Sequence, residues 1–271
     1  MLSGKYGNDL IGPKKTLKTI LLEKSAILAK QLNRMKEYKQ SKKQHYKSII
    51  PLKIFQTWHT KELPEHMRRS VEKLKRLHPR FEHFLFDDND CRNFIAANFD
   101  NSVLNAFDSL IPGAYKADLW RYCVLYINGG IYLDIKYDCI NTFRFIELTE
   151  KEHLVVDIDG NNIYNALIVS LPKNDILLKC INQIVENVKS RYYGNSCVDP
   201  TGPGLLSRFI NASDRQTIEL EHIWNKPTGD KFILYKNVSI LKMYNGYYDE
   251  QGENKKVEHY SILWMSRNIY K

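Results

Sequence analysis

A short stretch near the middle of the sequence carries the residue types that could hold a phosphate and a sugar. Asp118 and Arg121 stand three positions apart, so in a helix they share one face. Gly129 and Gly130 then end the predicted helix, and an apolar run leads to Asp134. An arginine can neutralise a phosphate or grip sugar hydroxyls, whereas an aspartate accepts hydrogen bonds from hydroxyls. The spacing indicates one pocket shared by the helix face and the Asp134 carboxylate.

The pair formed by Asp118 and Arg121 also has a plainer interpretation. Taken alone, an acid and a base at this spacing are more often an exposed ion pair on a helix surface. The apolar strand before Asp134 favours the pocket, because a charged group at the end of a buried strand needs a partner. Both interpretations stay open at this point.

The surrounding pattern predicts the elements that position these groups. Apolar runs typical of strands alternate with helical periodicity over residues 50–271, which indicates an α/β fold with a mostly parallel sheet flanked by helices. Polar sites follow three predicted strands: Thr57-Trp58-His59, Asp87-Asp88 and Asp134. Asp88 is a candidate N-cap for the helix after it. Ligands of such folds bind beyond the carboxyl ends of strands, so we expect the polar sites to meet there.

Charge divides the chain into two regions. The net charge is +9, and residues 1–50 hold 12 Lys and Arg against three acids, so the other 28 basic residues and 28 acids balance. We predict a basic N-terminal arm over residues 1–49, with an amphipathic helix from Lys14 to about Lys47, and a domain over residues 50–271. The arm could lie on an anionic membrane surface or be a solvated helix without a partner. No nucleic-acid motif accompanies it, so no nucleic-acid partner is expected.

The cysteines and the apolar runs bear on the compartment. The five cysteines are odd in number and form no CxxC pair, which is typical of free thiols in a reducing compartment. No signal peptide is visible, and no apolar run reaches the roughly 18 residues that span a bilayer. The sequence alone therefore predicts a chain on the cytoplasmic side, soluble or peripherally associated with a membrane.

Six segments together resemble a known family. They stand in order between residues 50 and 264: IPLKIFQTW, FLFDDND, KADLWRYCVLYINGGIYLD, NALIVSLP, TGPGLL and HYSILW. The set is similar to the DXD-type sugar-transferring glycosyltransferases, which include the yeast outer-chain mannosyltransferase, capsular-polysaccharide glycosyltransferases and, more distantly, the glucosylating domains of bacterial toxins. The resemblance implies a GT-A-like (Rossmann-like) fold. It also implies retaining transfer from a UDP- or GDP-linked hexose or N-acetylhexosamine to a glycan, protein or other hydroxyl acceptor.

The resemblance implies roles for single residues as well. Asp118 and Arg121 would hold the donor sugar, and Asp134 would begin the DXD motif. The expected contacts of the nucleotide-sugar donor come from five of the segments: Thr57, Trp58, Tyr132, Asn165, Gly202 and Trp264. His259 matches a histidine near the diphosphate, so Asp134 and His259 are the expected protein ligands of Mn²⁺ or Mg²⁺.

Position 136 departs from the family pattern. The family has Asp-X-Asp, whereas this chain has Asp134-Ile135-Lys136. Strand alternation would put Lys136 on the same side as Asp134, where the second acid belongs. In the first interpretation, which we favour, a metal is retained with weaker binding through Asp134, His259, the diphosphate and water. In the second, Lys136 itself supplies the positive charge at the catalytic centre. In a third interpretation Lys136 faces solvent and Asp138 replaces the second acid.

Other interpretations of the sequence remain open. Asp157-Ile158-Asp159 also fits a DXD pattern, although such a cluster before a glycine is more often a polar turn. A glycoside hydrolase needs two carboxylates across the sugar, and only the charged loop from Glu147 to Glu152 offers a comparable group. The main rival to an active glycosyltransferase is a basic membrane- or nucleic-acid-binding module with an inactive glycosyltransferase-like domain.

Overall fold

The structure is a computed structural model that describes residues 45–140 and 142–271. The amphipathic helix predicted in the basic arm therefore lies outside the described residues. Residues 45–49 form no helix or strand, and the amides of Ile49 and Ile50 both donate to the Thr149 carbonyl, at 2.8 and 3.0 Å. The chain is thus fastened to the domain just before its first strand. Within the described ranges, every helix is too short or too polar to span a bilayer.

The strands form two sheets. In chain order they are β1 (Lys53–Thr57), β2 (Glu82–Phe86), β3 (Gly130–Leu133), β4 (Tyr137–Cys139), β5 (Val155–Val156), β6 (Leu167–Ser170), β7 (Leu220–Asn225), β8 (Asp230–Tyr235) and β9 (Val238–Met243). The first sheet has the order β2-β1-β3-β6, in which β1 pairs in parallel with both neighbours and β6 runs antiparallel. The second has the order β4-β9-β8-β7-β5 and is mostly antiparallel. The predicted mostly parallel sheet is the first of these, whereas the second was not predicted.

Helices flank the first sheet, which confirms the α/β class. In chain order they are α1 (Glu65–Leu77), α2 (Asp88–Asn98), α3 (Asn101–Ser109), α4 (Gly113–Asn128), α5 (Asp175–Lys189), α6 (Pro203–Ser207), α7 (Ala212–Gln216), α8 (Tyr247–Glu253) and α9 (Tyr260–Met265). All residues of α4 from Asp118 to Leu125 are buried. A helix that is buried on every side must also bury its charged residues. Asp118 and Arg121, the two charged residues of α4 that are predicted to act at the site, are therefore buried.

Alternate residues of the first sheet face two separate hydrophobic clusters. Phe55, Tyr132 and Ile168 pack with the flanking helices α2 to α5. Their neighbours Ile54 and Ile131 pack on the other face with α1 and with apolar side chains of the second sheet. This is the two-residue period of a strand that is buried on both faces. As a result, the Tyr132 side chain points towards α4.

The connection from α4 to β3 has no loop. The Gly129 amide donates to the Leu125 carbonyl at 2.7 Å and ends the helix, and both glycines have positive φ, +62° at Gly129 and +104° at Gly130. A Cβ atom on Gly130 would lie 2.7 Å from the Lys53 carbonyl oxygen on β1. The two glycines thus allow a close turn that brings the buried face of α4 against the end of β3.

Gly130→Ala is expected to destabilise the fold by at least about 2 kcal/mol, because alanine is strained at this φ and its Cβ meets backbone. Gly113→Ala is the matched control, since Gly113 begins α4 and an added Cβ there has no atom within 4 Å. We expect the control to leave stability unchanged or slightly higher. Urea unfolding followed by tryptophan fluorescence measures both variants. Equal losses in the two would contradict this role of the connection.

Candidate active site

A cleft of about 710 Å³ lies beyond the carboxyl ends of β1 and β3. Its walls also include the N-terminal half of α4 and the segment that contains α8 and α9. The predicted site residues that line it are Thr57, Trp58, Asp118, Arg121, Tyr132, Asp134, Lys136, Asn165, Gly202 and His259. Residues far apart in sequence are therefore brought to one cavity, at the end of the sheet where ligands of α/β folds bind.

Asp118 is buried and fully engaged. Its Oδ1 atom accepts from Asn165 Nδ2 at 2.9 Å and lies 3.1 Å from an Arg121 nitrogen. Its Oδ2 atom accepts from the Thr201 hydroxyl at 2.7 Å, and Gly202 approaches so closely that an added Cβ would lie 3.1 Å from that oxygen. Burial raises the pKa of Asp118 although Arg121 and both hydrogen-bond donors favour the charged form. The exposed ion pair considered above is thus excluded, since the pair is inside the protein.

Arg121 joins the two acids of the site. Its guanidinium donates to the Asn165 carbonyl at 2.6 Å, and the same Nη1 atom lies 3.4 Å from Asp134 Oδ1. The guanidinium also lies over the Tyr132 ring, 4.4 Å from its centre. Burial alone lowers the pKa of Arg121, but Tyr132, Asp134 and Asp118 raise it above its ordinary value. The side chain is therefore a fixed, permanently charged group between the carboxylates.

Asp134 follows the last residue of β3 and begins the turn to β4. Its amide donates to the Ala166 carbonyl at 2.7 Å, and its Oδ1 atom accepts from the Tyr132 hydroxyl at 2.8 Å. Its Oδ2 atom lies 2.7 Å from Lys136 Nζ. Burial alone raises the pKa of Asp134, yet Lys136 and Arg121 together hold it below its ordinary value. Asp134 is therefore ionised at neutral pH and lies between two cations.

Lys136 points into the cleft and not into solvent. Its side chain is 19% exposed, and Nζ lies between the rings of Tyr137 and Tyr164, 5.7 and 5.4 Å from their centres. Burial alone lowers the pKa of Lys136, but the Asp134 carboxylate raises it above its ordinary value. The two residues share a side because of a turn, in which the Tyr137 amide donates to the Asp134 carbonyl at 3.2 Å, and not because of the strand alternation that we expected.

Asp138 does not replace the second acid of the motif. It accepts a hydrogen bond from Ser70 and lies 3.2 Å from Lys73 Nζ, and both of these partners are on α1. It is absent from the lining of the cleft. The third interpretation of the Asp-Ile-Lys segment is therefore wrong, because Asp138 turns to the opposite side of β4 and is already paired.

The groups around Asp134 do not fit a divalent metal ion. An ammonium and a guanidinium already lie within 3.4 Å of its carboxylate oxygens, and a dication there would be repelled by both. In the described ranges, no three His, Cys, Asp or Glu side chains are grouped so that they could share a metal. His259 lines the cleft as the N-cap of α9, where its Nδ1 atom is 2.8 Å from the Ser261 hydroxyl. The geometry favours Lys136 as the source of positive charge.

The two acids of the segment Asp157-Ile158-Asp159 have different surroundings. Asp159 accepts hydrogen bonds from the amides of Asn161 and Asn162, both at 2.9 Å, as expected for a polar turn. Asp157 instead lines the cleft and lies 2.8 Å from His222 Nδ1. The segment therefore does not present paired carboxylates for a metal.

His222 is a cleft residue that the sequence interpretation missed. It is 5% exposed, its ring stacks on Tyr164 at 3.8 Å, and its Nε2 atom has no hydrogen-bond partner within the described residues. Burial lowers its pKa although Asp157 acts in the opposite direction, so the ring is neutral at pH 7. The alternation along β7, with Leu220 and His222 buried and Glu221 exposed, is the signal that could have found it.

Asp88 and the residues after β1 form another part of the lining. Asp87, and not Asp88 as predicted, caps α2, because the Asp87 side chain accepts from the Asp90 amide while Asp90 accepts from the Asp87 amide. Asp88 therefore faces the cleft, where burial raises its pKa. Thr57 donates its hydroxyl to the Phe86 carbonyl at 2.9 Å, and the indole nitrogen of Trp58 is buried without a partner in the described part of the chain.

Trp264 is the one expected donor contact that lies elsewhere. Its indole nitrogen donates to the Tyr193 carbonyl at 2.6 Å, and its ring packs against the hydrophobic cluster of the helices. Four residues earlier on α9, Tyr260 lines the cleft. α9 therefore contributes to the site through Tyr260 at its N-terminal end, and not through Trp264.

Comparisons with known proteins find several similar proteins. A family model described as "Glycosyltransferase sugar-binding region containing DXD motif" matches residues 64–154, which include α4, β3 and the Asp-Ile-Lys turn. A solved structure titled "PaToxG Glycosyltransferase" aligns with a TM-score of 0.47 and 17% identity over 71% of this chain and 78% of that chain.

Relatives with curated names extend the similarity along the chain. "Inositol phosphoceramide mannosyltransferase 2" of Schizosaccharomyces pombe is 34% identical over 226 residues, 82% of this chain and 63% of that protein. "Mannosyl phosphorylinositol ceramide synthase SUR1" of Saccharomyces cerevisiae is 31% identical over 79% of this chain and 56% of its own length. The chain thus spans less than two thirds of these two yeast proteins.

A viral relative is matched over most of both chains. "Uncharacterized glycosyltransferase L373" of Acanthamoeba polyphaga mimivirus is 34% identical over 204 residues, which are 73% of this chain and 76% of that protein. The chain therefore belongs to the glycosyltransferases whose sugar-binding region contains the DXD motif.

Proposed function

We propose that the chain transfers a hexose from a nucleoside diphosphate sugar to a hydroxyl acceptor, with retention at the anomeric carbon, in a GT-A-type domain. The observation that carries the proposal is the cluster of Asp118, Arg121, Asp134 and Lys136, which lies inside a cleft at the carboxyl end of β3. A cleft of this size suits a nucleotide sugar. Retention and the GT-A assignment rest on the family resemblance.

The chemistry of transfer explains why such a cluster is useful. As the bond to the sugar breaks, the anomeric centre gains oxocarbenium character and the departing diphosphate gains negative charge. Arg121 and Lys136 are fixed cations at the cleft wall, so they meet that charge without reorganising. Asp118 and Asp134 keep these cations oriented, and Asn165 donates to Asp118 and so holds that carboxylate in place.

The nucleotide is proposed to lie near the end of β1. Trp58 offers an aromatic face and a buried indole nitrogen that lacks a partner in the described residues, and both suit a base or ribose. Asp88, held in the same wall, can accept a hydrogen bond from a ribose hydroxyl. Neither feature separates a uridine from a guanosine donor, so both UDP- and GDP-linked sugars belong in the test.

Mannose is the sugar that we propose, because the yeast relatives are named for mannosyl transfer. Their names also give inositol phosphoceramide as an acceptor. Exposed apolar side chains at the cleft support an amphiphilic acceptor of this kind: Ile158, Tyr248, Val257 and Ile262. Lys255 and Lys256 in the same wall suit an anionic headgroup and a cytoplasmic membrane surface.

A donor screen tests the proposal. Thermal unfolding is measured with UDP- and GDP-linked hexoses and N-acetylhexosamines, and hydrolysis of each donor is followed without acceptor. A bound donor at about 100 times its Kd should raise Tm by roughly 5 °C. We expect one mannosyl donor to give the shift and slow release of free mannose, while mannose 1-phosphate alone gives neither.

The same donor screen distinguishes an active glycosyltransferase from the alternative, an inactive glycosyltransferase-like domain. The observation that favours an inactive domain is Lys136, which stands where the usual motif has its second acid and pairs with Asp134. An inactive domain would bind a donor without hydrolysing or transferring its sugar under any condition. If no nucleotide sugar binds, the proposed function is wrong.

A further inference from the structure

We propose that the Lys136 ammonium takes the place of the divalent cation at this site, so that the chain binds and cleaves its nucleoside diphosphate sugar without a metal. The inference rests on the proposed function and specifies how the charge of the leaving group is met. Three features carry it: the formal charge of the cluster, the fixed position of Nζ, and the engagement of both Asp134 oxygens.

The formal charge of the cluster changes with the residue at position 136. With an acid there, two carboxylates of the motif would attract a dication. With Lys136 a negative charge becomes a positive one, which is a change of two units, the same as the charge of the ion. Asp118, Arg121, Asp134 and Lys136 then balance by themselves. An added dication would leave an excess of positive charge in a buried cluster, which is unfavourable.

The position of Lys136 is fixed before any ligand arrives. Its Nζ atom is 2.7 Å from Asp134 Oδ2 and lies between two tyrosine rings, and its carbonyl accepts from the Tyr244 amide at 3.0 Å at the end of β9. A lysine held in this way loses little rotamer freedom when it binds an anion. Its three N–H bonds allow it to keep Asp134 and still donate to a diphosphate oxygen.

Each Asp134 oxygen already has a positively charged neighbour. Oδ1 accepts from the Tyr132 hydroxyl and lies near Arg121, and Oδ2 binds Lys136. A metal at Oδ1 would lie beside the Arg121 guanidinium and a metal at Oδ2 beside the Lys136 ammonium, so either would be repelled. The diphosphate has no such conflict, because its oxygens are acceptors and the cluster presents donors.

The transfer step is balanced without another reagent. The bond from the anomeric carbon to the diphosphate oxygen breaks, and its electron pair goes to that oxygen. The acceptor oxygen forms the new bond to the anomeric carbon, and its proton passes to the departing diphosphate. Lys136 stays protonated throughout and donates hydrogen bonds to the diphosphate, with Arg121 as the second cation of the cluster.

Calorimetric titration of UDP and GDP in excess EDTA, and then in excess Mn²⁺, tests the inference on the unaltered protein. We expect the preferred nucleoside diphosphate to bind in EDTA, with its Kd changed less than about threefold by Mn²⁺. Lys136→Met should weaken binding by at least about tenfold, the loss expected for one charge-assisted hydrogen bond. Lys136→Asp restores the Asp-X-Asp pattern and should bind only with Mn²⁺. Lys136→Arg should keep binding in EDTA.

Lys242→Met is the matched control. Lys242 is 29% exposed, its Nζ atom lies 3.0 Å from Asp230, and it does not line the cleft. We expect its Kd for the diphosphate to equal that of the unaltered protein in both conditions, and unfolding curves confirm that each variant is folded.

The outcomes separate the two proposals. Binding by the unaltered protein only in Mn²⁺ overturns the inference and leaves the proposed function standing, as does a Lys136→Met variant that binds normally in EDTA. Binding of neither nucleotide in either condition overturns both proposals.

Discussion

Asp134→Asn is expected to lower donor turnover by at least about 100-fold while the chain remains folded. The asparagine keeps the shape of the side chain but removes the negative charge that orients Lys136 and Arg121, 2.7 and 3.4 Å away. The two cations then repel each other across a neutral amide, and Lys136 loses its fixed position. Donor hydrolysis and sugar transfer under saturating donor measure the loss, and circular dichroism checks the fold.

Asp138→Asn is the control for this prediction. Asp138 is in the same part of the chain and is also paired with a lysine, since its carboxylate lies 3.2 Å from Lys73 Nζ. It does not line the cleft, so turnover should stay within about threefold of the unaltered protein. Wild-type turnover in Asp134→Asn would remove this carboxylate from the mechanism. A similar loss in both variants would show that any acid in this region is needed for structure alone.

The second large effect is expected on stability. Arg121→Met should destabilise the fold by about 3–5 kcal/mol, because it leaves Asp118 and Asp134 without the cation between them. Methionine fills much of the same volume as arginine, so the loss of stability comes more from the missing charge than from a new cavity. Urea unfolding at neutral pH measures it.

Repeating the unfolding at lower pH identifies the cause. The folded-state pKa of Asp134 is depressed, mainly by Lys136 and Arg121 acting against burial, so its stabilising contribution is present above the unfolded-state pKa. That contribution is lost as pH falls through the folded-state pKa. The difference between Arg121→Met and the unaltered protein should therefore shrink in acid. A difference that is constant with pH would contradict an electrostatic origin.

An exposed arginine provides the comparison. Arg92 binds both oxygens of Asp108 on the protein surface, at distances from 2.7 to 3.1 Å. Arg92→Met removes the same kind of pair, but solvent screens it, so little or no change in stability is expected. Equal losses in the two variants would show that burial of the Arg121 cluster is not what makes it important.

The parts of the site that could be predicted are those set by local spacing. A helix places residues three apart on one face, and two glycines end it sharply, so Asp118, Arg121 and Asp134 could be placed together from the sequence. The mostly parallel sheet followed from the alternation of strands and helices, which is also a local pattern.

Long-range pairing could not be predicted in the same way. β4 pairs with β9, about a hundred residues later, and this pairing builds the second sheet. The alternation along β7 marks His222 as a buried residue, but that it faces the cleft depends on the long-range pairing of the second sheet. The position of Trp264 was missed for a related reason, since a short helix can present either end to a neighbouring cavity.

The direct turn from β3 to β4 has a consequence for how the molecule responds to its ligand. β3 of the first sheet ends at Leu133, directly before Asp134, and β4 of the second sheet begins at Tyr137, directly after Lys136. Asp134 is anchored through its amide to the Ala166 carbonyl next to β6 of the first sheet, and Lys136 through its carbonyl to the Tyr244 amide at the end of β9 of the second. In the proposed donor complex, binding at this joint would therefore stabilise the two sheets together and not one of them alone.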